Sequence, residues 1–530
     1  MALMTGGEAV ARSLAAHGTD VVFGIPGNHN LPIYEHLASN NIRHFLSRHE
    51  QGCGFAADGF ARVSGRPGVA LVTAGPAVLN TLAALSQSYA DSIPVLMVSP
   101  GMPLRHPHGS TGHLHEVKDQ QAAVDAVVAV SHRVSSVDEI GDAITQAFAD
   151  MTAGRPRPVH VEIPIDVLDE VADTEVGLPL ATSVVSAPVG QLKRAAVALA
   201  ECSRPGIVVG GGARAASAEV LRLAEKLGAA VVTTTNGKGI IPEDHPLSLG
   251  AGAHLHTVAE WARSRDVLIA VGTDFGSSDL WNGGWTLDGT LVRIDIDPRQ
   301  IGVNVRPDVS LVSDATTALR SLLDLLGASS HGDGGKRESA SWVSRVHEEA
   351  ALEGALWEHE MKAIAAVLDR DAIVAGDSAA ACYYGLRANL PLHTPGAFLY
   401  PTGSGTLGYG LPAAIGAKVA MPERQVVAVM GDGGVMFTLP ELAAAAAEGL
   451  ALPLIVIDNG GYGQIRTNMG LRGYEPLGVD LPSPDFAAAG RALGCHGITI
   501  ESPERLSEEL AKAFVADRPT VLHVREGGSA

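Results

Sequence analysis

The chain has 530 residues, 46% of them hydrophobic and 18% charged, and a formal net charge of −20. This length predicts about three or four domains, and the low charged fraction argues against a disordered chain. No Lys/Arg cluster stands out, which argues against nucleic-acid binding. The longest apolar runs, such as residues 452–457, are too short to span a membrane.

The cysteines and the N-terminal residues bear on the cellular compartment. Cys53, Cys202, Cys382 and Cys495 form no CxxC pair, so neither a zinc site nor a disulfide framework is indicated. The first residues lack a basic stretch followed by a long apolar run, so we expect no signal peptide. Together these features favour a reducing cytoplasm.

Short β-like apolar runs alternate with Ala/Leu-rich helical stretches along the chain, which is typical of parallel sheets joined by crossover helices. Two polar breaks divide this pattern, one near residues 172–190 and one at 327–341, and the second has the composition of a flexible linker. We therefore predict an α/β protein of three doubly wound domains with mainly parallel sheets. The predicted domains cover residues 1–170, 188–326 and 342–526. The runs, in chain order, are VVFGIPG, GVALVTAGP, VLMVSP, VHVEIP, GIVVGGG, AVVTTT, VLIAVG, LVRIDID, AIVAGDS, VVAVMGDGG, PLIVIDNGG and VLHV.

Two glycine-rich segments in the last third predict a phosphate and metal site. GDG at 431–433 and DNGG at 458–461 each follow an apolar run, and 24 residues separate them. Both segments would emerge at the carboxyl edge of a parallel sheet, where ligands bind. Asp432, Asn459 and the carbonyl of Gly461 would offer hard oxygen ligands for Mg²⁺ or Ca²⁺. Either segment alone would be typical of a turn, but their joint occurrence favours the site.

The pattern GDG-x24-DN resembles the signature of thiamine-diphosphate-dependent enzymes, and further similar segments lie in matching order over residues 5–495. The chain resembles acetolactate synthase, benzoylformate decarboxylase, pyruvate decarboxylase and, most closely, guanidino-oxopentanoate decarboxylase. The resemblance implies pyrimidine-binding, central and diphosphate-binding domains in this order, with thiamine diphosphate and Mg²⁺ (or Ca²⁺) as cofactors. The similar segments are FGIPGNHNLPIYEHL, SRHEQGCGFAADGFARVSGRPGVALVTAGP, QSYADSIPVLMVS, RPRPVHVEIPIDV, TGSGTLGYGLPAAIGAKVAMPERQVVAVMGDGG and IDNGGYGQIR.

The resemblance also implies catalytic residues. Glu50, in RHEQ, would face the aminopyrimidine ring and favour the imino tautomer, which then removes the thiazolium proton. Glu441 matches a glutamate that, in the pyruvate decarboxylase pattern, faces the reacting centre, and an acid there could protonate an enamine intermediate. A simpler reading is that Glu441 complements a helix dipole. The other implied catalytic positions lie in polar loops and are Asn28, His29, His113 and His115.

Further positions match residues that hold the cofactor. Leu407 matches the large apolar residue that bends the cofactor, so that its amino group approaches the reactive carbon. Gly405 matches the position whose carbonyl binds that amino group. The chain departs from the pattern of the resembled family at two places. TAGPAVLN replaces the commoner TSGPGxTN, and a glycine at 434 stands where many relatives have a serine. The other implied cofactor-binding residues are Gly431, Gly433, Gly434, Tyr462 and Gly463.

The middle domain contains a GGG turn that could bind a dinucleotide. Acetolactate synthases typically show an RFDDR-like run after the following AVG strand, whereas this chain has TDFGS at 273–277. We therefore expect no FAD.

Three functions are considered. The first is decarboxylation of a 2-oxo acid through an ylid and an enamine, which His29 and the missing RFDDR-like run favour. The second is an acetolactate synthase-type carboligase that joins two 2-oxo acids. The third is a non-catalytic binding homologue, against which Glu50, Asp432 and Asn459 argue. In the families that the chain resembles, two subunits form each site, which implies a homodimer or a dimer of dimers.

Overall fold

The computed structural model describes residues 2–107, 109–181, 183–327 and 333–526. Strands β1 to β19 of the described residues are Ala2–Thr5, Val21–Gly24, Arg43–Leu46, Gly68–Leu71, Val95–Gly101, Val130–Arg133, Val159–Pro164, Val171–Thr174, Pro205–Val209, Ala230–Thr233, Val267–Val271, Thr290–Asp295, Val309–Val312, Ile373–Gly376, Phe398–Leu399, Val426–Gly431, Pro453–Asp458, His496–Ile500 and Thr520–Arg525. Helices α1 to α20 are Gly6–Ala16, Leu31–Tyr34, Glu50–Ser64, Pro76–Asp91, Gln120–Asp125, Asp138–Thr152, Ile165–Asp169, Val189–Glu201, Ser217–Leu227, His256–Arg263, Ala315–Leu326, Asp333–Glu353, Glu358–Ala365, Arg387–Asn389, Gly410–Ala420, Asp432–Val435, Glu441–Ala447, Gly463–Leu471, Phe486–Ala492 and Pro503–Ala513. Short 3₁₀ turns and one π-helical turn complete the regular structure, at Ala38–Asn40, Gly211–Ala216, Thr235–Gly237, Ala355–Trp357 and Ala381–Leu386.

Three parallel sheets follow one another along the chain. Their strand orders are β3-β2-β4-β5-β7-β6, β10-β9-β11-β12-β13 and β15-β14-β16-β17-β19-β18, and β1 and β8 form a separate antiparallel pair. Their strands are largely buried, as expected of parallel strands covered on both faces. This arrangement confirms the predicted α/β class with three doubly wound units.

Each sheet reverses its strand order at the same place. The chain enters at β2, β9 or β14, adds the next strand on one side, and then crosses to the other side. The crevice between the first strand and the third is the position where open α/β sheets bind ligands. In the third sheet this crevice lies between β14 and β16, so the residues that follow these two strands are the first candidates for a site.

The predicted flexible linker at 327–341 is only partly testable. Residues 328–332 lie outside the described residues, but residues 333–341 belong to α12. The expectation of a flexible linker is therefore wrong for this second half. The exact domain boundaries stay a prediction.

The first and third sheet units pack directly on each other through α3 and α15. A Cβ atom added to Gly59 would lie 2.1 Å from the carbonyl oxygen of Ala413, and one added to Gly416 would lie 1.9 Å from that of Ala56. Only glycine permits such a close approach of two helix backbones. One apolar core therefore runs through both units.

None of the helices among the described residues is long and apolar enough to cross a membrane. All four cysteines lie among the described residues, where each is buried and none forms a disulfide bond.

Candidate active site

The GDG and DNGG segments lie side by side at the carboxyl edge of the third sheet. Strand β16 ends at Gly431 and pairs in parallel with β17, with Gly431 opposite Ile457. Asp432 therefore follows one strand and Asn459 the next, and the Oδ1 atom of Asp432 lies 3.5 Å from the Asn459 nitrogen. The predicted neighbourhood of these two residues is present in the fold.

The oxygen atoms at this edge fit a hard divalent cation. Asn459 Oδ1 is buried and accepts no hydrogen bond from the described residues, a state that is costly unless a ligand supplies a partner. The neighbouring Asp458 is already occupied, because it accepts hydrogen bonds from Ser483 Oγ (2.6 Å) and His523 Nε2 (2.9 Å). Asn459, rather than Asp458, is therefore available as a metal ligand beside Asp432.

Gly461 is held in a backbone conformation that side chains rarely adopt. Its φ is +142°, and an added Cβ would lie 2.0 Å from the carbonyl oxygen of Val479. The Gly461 carbonyl oxygen would lie 3.7 Å from a Cβ added to Gly433, so it lies close to the GDG segment. This position suits the predicted carbonyl ligand.

Burial and the charge of Asp458 raise the pKa of Asp432, against hydrogen bonds from nearby backbone N–H groups that lower it. A divalent cation at this carboxylate would stabilise its charged form.

The predicted cofactor-binding residues gather around Asp432 because two of the glycines allow close contacts. An added Cβ at Gly433 would lie 2.8 Å from the Tyr462 ring, and one at Gly434 would lie 2.2 Å from Asp377 Oδ2. Gly463, the first residue of α18, packs against the Asn459 amide in the same way. Gly431 ends β16 immediately before Asp432.

Asp377 is a residue of this site that the sequence analysis missed. It follows β14, on the other side of the crevice from Asp432, and it is fully buried. Its carboxylate accepts hydrogen bonds from the backbone N–H groups of Gly408 (3.0 Å) and Tyr409 (3.1 Å). Burial raises its pKa to about 6 in spite of these bonds. An acidic residue directly after the apolar run AIVAG was the available signal.

Leu407 and Gly405 lie in the loop of residues 400–409 between β15 and α15. A Cδ atom of Leu407 lies 3.6 Å from a Cβ added to Gly434, so this side chain reaches the GDGG segment. Gly405 is exposed and has a φ of +62°. The loop places Leu407 beside the predicted diphosphate site, and Gly405 lies two residues earlier in the same loop.

Glu50 is the first residue of α3, and its side chain is half-buried. The ring of His49 caps this helix by accepting a hydrogen bond from the Gln51 N–H. Asn80 Nδ2 donates a hydrogen bond of 2.9 Å to Glu50 Oε2. Asn80 belongs to the unusual TAGPAVLN segment, and the sequence analysis assigned it no role.

Glu441 is buried against the segment that precedes Glu50. Its Oε1 accepts hydrogen bonds from the backbone N–H groups of Arg48 (3.0 Å) and His49 (2.9 Å). Burial raises its pKa to about 7, although both N–H groups act to lower it. These contacts suit a residue that shapes the start of α3, and its predicted role as a proton donor stays a prediction.

The raised pKa gives Glu441 a measurable signature. Between about pH 4.5 and 7 the folded protein holds a proton that the unfolded chain has lost, so this group makes stability fall as the pH rises. Glu441→Gln keeps an oxygen that accepts both N–H bonds but lacks the titration. For the cofactor-free proteins, the melting temperature of the variant minus that of the wild type should therefore rise between about pH 4.5 and 7. Above this interval the difference should stay constant. A difference in melting temperature that does not depend on pH would contradict the assignment.

The predicted histidines come together although they are distant in the sequence. The His29 ring lies 4.9 Å from the His115 ring and 6.3 Å from the His113 ring, between centroids. Burial lowers the pKa of His29, and the charges of His115 and His113 lower it further. His29 is therefore expected to be neutral at pH 7. Asn28, in the same loop, is exposed.

A cavity of about 620 Å³ opens at the carboxyl edge of the central sheet. The GGG turn at 210–212 and the TDFGS segment at 273–277 line this cavity. Arg155 of the first unit donates two hydrogen bonds to Asp274 of the TDFGS segment. The absence of FAD stays a prediction.

Three family models match the chain in order: the thiamine pyrophosphate enzyme N-terminal TPP binding domain at residues 4–123, the central domain at 192–322 and the C-terminal TPP binding domain at 379–524. The chain belongs to the thiamine pyrophosphate enzyme family, as the sequence predicted.

Several curated proteins are similar over nearly the whole chain. A probable 2-ketoarginine decarboxylase of Pseudomonas aeruginosa is 39% identical over 98% of this chain and 94% of that protein. A probable acetolactate synthase large subunit of Methanocaldococcus jannaschii is 35% identical over 98% and 92%, respectively. An acetolactate synthase large subunit of Corynebacterium glutamicum is 32% identical over 98% and 86%.

Proposed function

We propose that this protein is a thiamine-diphosphate- and Mg²⁺-dependent decarboxylase of a 2-oxo acid. The observation that carries the proposal is the buried Asn459 oxygen beside Asp432, at the ligand-binding edge of the third sheet, which has no hydrogen-bond partner in the described part of the chain. A binding homologue without catalysis would not need Glu50 as well, so the presence of both features supports an enzyme.

The cofactor, when bound, supplies a nucleophilic thiazolium carbon and accepts electrons from the breaking carbon–carbon bond. Asp432, Asn459 and the Gly461 carbonyl would hold the metal and, through it, the diphosphate. Glu50 would hold and release a proton at a pyrimidine ring nitrogen. Leu407 would support the bent shape that brings the amino group near the reactive carbon.

The substrate that we propose is a 2-oxo acid with a long polar or basic side chain. 2-Ketoarginine and guanidino-oxopentanoate are two names for one compound, so the relative from Pseudomonas aeruginosa and the sequence resemblance agree on the substrate type. The cluster of His29, His113 and His115 would supply hydrogen-bonding groups on the N-terminal side of the site. His29 in particular would act as a neutral imidazole.

The second candidate is a carboligase, which the similarity to acetolactate synthases supports. A panel of 2-oxo acids with analysis of CO₂ and carbon products separates the two. A decarboxylase should release one aldehyde for each CO₂, with 2-ketoarginine turned over faster than pyruvate. A carboligase should instead convert pyruvate to acetolactate, with one CO₂ released for each acetolactate. Formation of acetolactate as the main product would overturn the proposal.

We also propose that the protein works in the cytoplasm as a homodimer or a dimer of dimers. Several apolar side chains near the site are exposed in the single chain, which suits coverage by a second copy. Light scattering should give a multiple of the 54.7 kDa chain mass. An active protein that is strictly monomeric would contradict this prediction. The exposed side chains are Met436, Phe437, Ile465, Leu471 and Leu477.

A further inference from the structure

The loop that carries Gly405 and Leu407 is held from outside the third sheet unit. Asp91, the last residue of α4, accepts hydrogen bonds from the backbone N–H groups of Thr402 (3.2 Å) and Gly403 (2.8 Å). One turn earlier in α4, Gln87 Oε1 accepts a hydrogen bond of 3.1 Å from Thr406 Oγ1. Thr406 directly precedes Leu407.

The side chains of Gln87 and Asp91 are buried and hydrogen-bonded to each other. Gln87 is 0% exposed and donates a hydrogen bond of 2.7 Å from Nε2 to Asp91 Oδ2. Arg62 pairs with the same oxygen at 2.7 Å and with Asp58 at 2.6 Å. Buried groups that are each held by several hydrogen bonds have few other arrangements available, so the network restricts the position of the loop.

The other end of the loop has its own anchor. Asp377 accepts hydrogen bonds from the backbone N–H groups of Gly408 and Tyr409, and Thr438 Oγ1 donates to the Gly408 carbonyl at 2.8 Å. Leu407 therefore lies between two fixed points. One is supplied by the third sheet unit and the other by α4 of the first.

We propose that Gln87 and Asp91 are positioning residues that set the height of Leu407 above the GDGG segment. The inference rests on the proposed function, in which Leu407 bends the cofactor. Neither residue belongs to the predicted metal or diphosphate site. Removing their hydrogen bonds to the loop should therefore leave the affinity for the cofactor unchanged. The rate of deprotonation of the thiazolium carbon should fall, because this rate depends on the distance between the amino group and that carbon.

The test uses Gln87→Met, which keeps the side-chain volume but removes the bonds to Thr406 and Asp91. The matched control is Thr81→Val in the same helix, since Thr81 is 0% exposed and its hydroxyl donates to the Ala77 carbonyl within α4. Two quantities are measured on the Mg²⁺-loaded protein. They are the dissociation constant of thiamine diphosphate, by calorimetry, and the rate of hydrogen–deuterium exchange at the thiazolium carbon of the bound cofactor.

Gln87→Met should slow exchange by about 10- to 100-fold, as expected for a small misplacement of a reacting group, while the dissociation constant changes by less than about threefold. Thr81→Val should match the wild type in both. An unchanged exchange rate in Gln87→Met would overturn the proposal, and so would an equal loss in the control. Failure of the wild type itself to bind the cofactor would instead overturn the proposed function.

A second variant tests the bond from the loop side. Thr406→Val removes the hydroxyl that donates a hydrogen bond to Gln87. This variant replaces Gln87→Met in the test if Gln87→Met does not fold. If the hydroxyl bond is responsible, the loss in the double variant should be smaller than the sum of the two single losses, because Thr406→Val removes one of the contacts that Gln87→Met also removes. Fully additive losses in the double variant would mean that Gln87 acts by another route, and the proposal would fail.

Discussion

Replacing Asp432 by alanine should lower the affinity for thiamine diphosphate in the presence of Mg²⁺ by orders of magnitude. Asp432 is the charged member of the predicted ligand set, and it lies beside the buried oxygen of Asn459, for which the described residues supply no hydrogen-bond donor. Without it, the negative charge of the diphosphate would face a weakened cation site at a largely buried edge. Calorimetric titration with the cofactor at saturating Mg²⁺ measures the loss.

A suitable control for Asp432→Ala is Asp517→Ala. Asp517 is 62% exposed and pairs with Arg518 at the surface, so its loss should leave cofactor affinity unchanged. If Asp432→Ala and the wild type bound the cofactor equally well, the metal site would have to be assigned to other residues.

Replacing Glu50 by glutamine should leave a protein that binds the cofactor, although less tightly, and activates it slowly. The amide fills the same space at the start of α3 and still offers an oxygen to Asn80. It cannot shuttle a proton, and positioned acid–base groups typically contribute about 10²–10⁴-fold. Hydrogen–deuterium exchange at the thiazolium carbon should slow by that order or more.

This measurement needs no substrate, so it tests Glu50 whichever 2-oxo acid is used. Glu448→Gln provides a matched control, because Glu448 is partly exposed and pairs with Arg43 at the surface. Equal exchange rates in Glu50→Gln and the wild type would show that Glu50 is not the activator. That result would leave the assignment of the diphosphate site intact.

The sequence predicts those parts of the site that follow directly from strand ends. Asp432 and Asn459 each come after an apolar run, and parallel pairing of the two strands brings them together. Asp377 follows the same logic, but a lone GDS after a strand is also an ordinary turn sequence. No second segment in the sequence indicated that its carboxylate holds the loop before α15.

Contacts between distant segments could not be read from the sequence. Glu441 bonds to Arg48 and His49, which are 393 and 392 residues away, and neither residue has a pattern that indicates the other. The same holds for Asn80 and for the loop contacts of Gln87 and Asp91. The linker prediction failed from residue 333 onward because residues 333–341 are polar and rich in Gly and Ser, while the large apolar positions of the helix begin only at Trp342.

The close packing of α3 on α15 has a consequence during synthesis on the ribosome. Tyr409, just before α15, bonds to Asp58 on α3 across 351 residues. At typical translation rates of about 5–20 residues per second, α3 waits roughly 20–70 s for this partner to be made. During that time the apolar face of α3 has no cover from the third unit, and Phe55 lacks its contact with the Tyr409 ring. Nascent chains should therefore depend on chaperones until α15 emerges, and truncated chains that end before it should aggregate.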